Sequence, residues 1–183
     1  MGLHDRAAKQ AETKAGSGRP SVEHRRRVDA VRPEAEALPA ASVTAPRIPV
    51  EQLAGRVFSM LIGCRENAGA LARVGVTEEQ AGHLKKLVFA LLSAQSLLEE
   101  ARRGEGRGAP PAQVEAASGL RNRLYALTEA EADEMRECAE FAFRGDDGDE
   151  RISWFRGSHR SRWRRSSGGS RARLGEAVEL VRR

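Results

Sequence analysis

"GVTEEQAGHLKKLVFALLSAQSLLEEARRG", Gly75 to Gly104, holds one helix with both of its ends marked. Thr77 and Gln80 stand at the spacing of a capping box: the threonine hydroxyl accepts the Gln80 N–H while the glutamine side chain reaches back to Thr77. Glu78 and Glu79 suit the positive end of the helix dipole, Arg102 and Arg103 its negative end, and Gly104 stops it. Between them Leu84, Leu87, Val88, Leu91, Leu92, Ala94, Leu98 and Ala101 recur at three-four spacing as a buried face. Around Phe89 to Leu92 apolar residues cover much of the circumference, so this helix needs partners on more than one side. A four-helix core or a dimer seam meets that need equally, and a domain this small gains from added burial, which favours the dimer.

On the N-terminal side, Val50, Leu53, Val57, Met60, Cys64, Leu71 and Val74 follow the same spacing, and Phe58, Leu61 and Ile62 widen the stripe. The pattern predicts one amphipathic helix from Val50 to about Val74. Gly55, Gly63 and Gly69 weaken it, or else permit a close helix contact. On the C-terminal side, "GEGRGAPPAQ", Gly104 to Gln113, reads as a linker whose Pro110 and Pro111 open a third helix, with Val114, Ala117, Leu120, Leu124 and Leu127 on one face. Thr128 and Glu131 repeat the capping pattern and predict a fourth helix carrying Met135, Cys138, Ala139, Phe141, Ala142 and Phe143 to about Arg144. The expected fold is all-α, a small antiparallel bundle of about four helices over 50–144.

The flanks differ in composition from this core. Residues 1–49 are rich in Ala, Pro and Arg, with single scattered aliphatics, and are expected to form a disordered, flexible arm. A helix around Arg25 to Ala37 would have to span or stop at Pro33. Residues 145–183 begin with an acidic turn, "GDDGDE", which lacks the ligand spacing of a calcium loop, and continue as a basic tail. Net charge splits accordingly: +3 over residues 1–50, −6 over 51–150 and +8 over 151–183. Such asymmetry speaks to partners and says little about the fold.

No stretch is apolar enough over 18 residues to span a membrane, the N-terminus lacks a signal-peptide core, and two cysteines make no disulfide framework. The expected location is the cytoplasm, with no membrane association.

Catalytic and metal chemistry find few candidates. A di-iron bundle needs Glu-x-x-His pairs, and none occurs; Glu79 and His83 are four apart. Glu131, Glu134, Glu137 and Glu140 form a row that a solvated helix face explains. Cys64 and Cys138 sit on apolar faces, where a thiol behaves as a small hydrophobe. "GEGRG" lacks the lysine and the preceding strand of a phosphate loop. Neither enzymatic activity nor a cofactor is expected. "LTEAEADEMRECAEFAF", Leu127 to Phe143, resembles the opening helix of response-regulator DNA-binding domains, and "RARLGEAVELVRR", Arg171 to Arg183, their closing helix. The segment between them is too rich in Gly and Ser for a recognition helix.

The residues singled out for binding lie after Glu150: Arg151, Trp154, Phe155, Arg156, Arg160, Arg162, Trp163, Arg164, Arg165, Arg171 and Arg173. Arginine forks bind carboxylate and phosphate bidentately, and indoles stack on bases, so this segment suits an acidic protein partner or a nucleic acid. Ile152, Trp154 and Phe155 have a second use, folding back to close one end of the bundle. Leu174, Val178 and Val181 share one face of a short terminal amphipathic helix that fits a docking peptide. These features predict a non-enzymatic interaction or assembly protein: a homo-oligomer that engages an acidic protein partner, with nucleic-acid binding as the alternative.

Overall fold

The computed structural model describes residues 22–43, 45–105, 110–144 and 149–156. Among them all regular structure is helical. Helix α1 spans Val22–Ala37 and is followed by a 3-10 turn at Ala40–Ser42. Then come α2, Val50–Glu66; α3, Ala68–Ala72; α4, Glu78–Glu105; α5, Pro111–Ala142; and the short α6, Asp149–Ile152.

Helix α4 is the centre of the packing and touches α1, α2 and α5. Leu84, Leu87, Val88, Ala90, Leu91 and Leu98 are completely buried along it. Its capping box forms as the sequence predicts: the Gln80 N–H donates to Thr77 Oγ1 at 3.1 Å and the Thr77 N–H to Gln80 Oε1 at 2.9 Å. Thr77→Ala removes one of these acceptors and is expected to cost about 1 kcal/mol, read as a lower urea midpoint at unchanged slope.

Three elements differ from the expectation. The first is α1, which lies inside the supposed arm. Pro33 sits within the helix and withholds one backbone donor, yet Val28, Val31 and Ala35 are buried against the core. Its last carbonyls are gathered by Arg123 of α5, whose Nη1 lies 3.4, 3.1 and 3.3 Å from the oxygens of Ala35, Glu36 and Leu38. Helix ends leave such oxygens without intrahelical partners, and a guanidinium suits them. Arg27 of α1 stacks over Phe89 at 5.5 Å, and Phe58 of α2 meets the same ring at 5.5 Å. Part of the apolar circumference of α4 is therefore covered from within the chain. Residues 1–21 lie outside the described residues.

Second, the helix expected from Val50 to Val74 breaks at Asn67, whose side-chain and backbone N–H groups both donate to the Gly63 oxygen, at 2.9 and 3.0 Å. After the single turn of α3 the chain reverses through Gly75, at φ +88°, where the Val76 N–H returns to the Leu71 oxygen and the Gly75 N–H to the Ala72 oxygen. That is a Schellman closure, and its left-handed residue favours glycine.

Third, the expected junction at Leu127 and Thr128 does not exist. Helix α5 runs straight through it, and the buried Thr128 hydroxyl donates to the Leu124 oxygen at 2.7 Å within the helix. The Ile48 N–H donates to the buried Tyr125 hydroxyl at 3.4 Å, and Cys64 Sγ lies 3.2 Å from Met135 Sδ. Helices α2 and α5 thus advance in the same direction along their contact.

Candidate functional site

The described chain closes onto the C-terminal half of α2. Ile152 and Phe155 are buried, at 5% and 3% exposure, and Phe155 faces Phe143 with ring centroids 6.0 Å apart. The approach depends on Gly63: a Cβ there would stand 2.8 Å from Trp154 Cβ and 3.2 Å from the Phe155 ring. Trp154 is half-buried and packs against the core. Arg151 and Arg156 are exposed, and Arg156 Nε meets Glu140 Oε1 at 3.4 Å. So exposed a pair contributes under about 1 kcal/mol.

The residues singled out in the sequence therefore divide. Phe155 is used up by packing and offers no surface to a partner, Trp154 is partly used, and Arg151 and Arg156 stay accessible. Arg160, Arg162, Trp163, Arg164, Arg165, Arg171, Arg173, Leu174, Val178 and Val181 lie outside the described residues.

Beside this closure is a feature the sequence did not reveal, a groove of about 700 Å³ between the end of α2, α3 and the start of α4. Leu61, Ile62, Cys64, Leu71, Val76 and Ala81 make it mainly apolar, and Arg65, Glu78 and Lys85 bring charge to it. It exists because Asn67 and Gly75 divert the chain, and an apolar periodicity spanning both positions conceals that. Burial pushes the Cys64 thiol up to about 12, so it holds its proton at neutral pH and is a poor nucleophile. A shallower hollow of about 500 Å³ lies at the start of α2, with Arg47, Gln95 and Arg121 in its lining. Burial, and next the charge of Arg102, lower the Arg121 pKa.

No known protein family, curated protein or solved structure matches this chain. Among the described residues no group of three His, Cys, Asp or Glu side chains is placed to hold a metal ion. His83 Nε2 instead lies 3.3 Å from Glu34 Oε2, joining α4 to α1. Among the same residues no helix is long and apolar enough to cross a membrane.

Proposed function

We propose that the chain is a non-enzymatic cytoplasmic interaction protein, in which an antiparallel helical bundle carries a basic C-terminal segment that docks an acidic protein partner. The observation that carries this reading is the charge split between −6 over residues 51–150 and +8 over residues 151–183, with Arg151 and Arg156 exposed at the last described residues. Packing of Ile152 and Phe155 supports it further, because it holds the residues just before that segment against the core. Self-association through the bundle belongs to the same proposal, with less surface in its favour: α1 occupies part of the face of α4 that suggested a seam, and the exposed large apolar residues among those described are Val22 and Phe141.

Nucleic-acid binding is the second reading, favoured by the interleaving of Trp163 with Arg160, Arg162, Arg164 and Arg165. One titration separates them. The full chain and a variant with Arg160, Arg162, Arg164, Arg165, Arg171 and Arg173 all changed to Gln are titrated against labelled polyglutamate, single-stranded DNA and RNA across salt. The expected result is polyglutamate binding that weakens with salt and falls at least tenfold in the variant. Tighter binding of DNA or RNA at equal ionic strength, with a steep salt slope, replaces the first reading by the second. Binding of none of the probes overturns both.

A further inference from the structure

We propose that the groove between α2, α3 and α4 is the seat of the chain's own terminal segment, residues 174–183. The inference does not depend on what the arginines bind.

Three observations converge on this occupant. The groove is mainly apolar, with Leu61, Leu71 and Val76 in its lining, and has a volume of about 700 Å³. Leu174, Val178 and Val181 provide a row of aliphatic side chains, at the spacing by which one helix face enters a groove. The groove also carries charge of both signs, from Arg65, Lys85 and Glu78, as does the sequence of residues 174–183 with Glu176, Glu179, Arg182 and Arg183.

The second observation is the point of departure. Trp154 and Phe155 rest on Gly63, and the next residue of α2, Cys64, already lines the groove. Residues 157–173 separate Arg156 from Leu174, and a stretch of that length can reach at most about 60 Å. That stretch is long enough to round the helix, whose diameter is about 10 Å.

The third is mass action. A covalent link of this length would hold the segment near the groove at an effective concentration on the order of millimolar. A second copy of the chain, or a free partner, competes only above that concentration or with much better contacts. Seating the segment would also pin the six arginines between Arg156 and Leu174 into a closed loop, presenting them together.

The test uses the full chain with a photo-reactive benzophenone amino acid in place of Val181, irradiated at low micromolar concentration and mapped by mass spectrometry. The expected products are intramolecular and join position 181 to residues 61–85, with at least a tenfold loss on Leu174→Asp with Val178→Asp. Ala72→Glu, which fills the groove from an exposed position, should reduce them similarly. Products joining two chains assign the groove to a second copy and overturn the proposal. Crosslinks no more frequent to 61–85 than to the exposed face of α5 overturn it as well.

Discussion

Phe155→Ala is expected to lose about 3 to 5 kcal/mol of stability, the range for removing a large aromatic from a packed interior. The ring is 3% exposed and lies between Phe143 and the backbone of α2 at Gly63. Loss of the ring should free residues 149–156 from α2, so Trp154 emission should move to the red in a Trp163→Phe background, at denaturant concentrations where α4 and α5 still hold. Gly63→Ala probes the same contact from the other side, and its sign is informative. In an open helix interior, exchanging glycine for alanine gains up to about 1 kcal/mol. Here the new Cβ would stand 2.8 Å from Trp154 Cβ, an atom fixed to its own backbone, so the exchange must instead destabilise. A stabilising Gly63→Ala would show that residues 149–156 do not rest on α2 in solution.

Comparison of two threonines shows why part of the fold was legible in the sequence. Thr77 and Thr128 both precede an acidic turn with the capping residue at the right spacing, yet only Thr77 caps a helix. Gly75 comes just before Thr77 and stops the preceding turn through its left-handed backbone. Ala126 and Leu127 come before Thr128, and both are strong helix formers, so nothing interrupts the helix. A capping pattern therefore marks a start only where a breaker precedes it. Helix α1 was left open for a different reason: it presents just Val28, Val31 and Ala35 to the core, too few to decide whether it spans or stops at Pro33, and its stability comes from α4 and Arg123. The fate of Phe155 was open because folding back and partner binding use the same side chain. Gly63 decides between them, and it lies far away in the sequence.

A steep alkaline loss of stability is the other large effect expected, and it originates at Cys64. The folded thiol keeps its proton to about pH 12 because burial penalises the thiolate, whereas the ordinary value is 9.0. Below pH 9 both folded and unfolded chains carry the protonated thiol, and the contribution to stability is fully present. As pH rises from 9 to 12 the unfolded chain releases the proton while the folded chain retains it, so unfolding becomes easier by up to about 1.4 kcal/mol per pH unit. Tyr125 acts in the same direction, because burial raises its pKa ahead of the opposing hydrogen bond from Ile48. Urea unfolding at pH 8, 9, 10 and 11 should therefore give midpoints that fall progressively, with the fall clearly reduced in Cys64→Ala and reduced further when Tyr125→Phe is added. Cys64→Ala should itself lower stability at pH 8, since it empties the space now filled by the sulfur against Met135. Identical slopes for the native chain and Cys64→Ala would mean that the thiol ionises equally well folded and unfolded, which requires water at the base of the groove and a looser end of α2 than its packing implies.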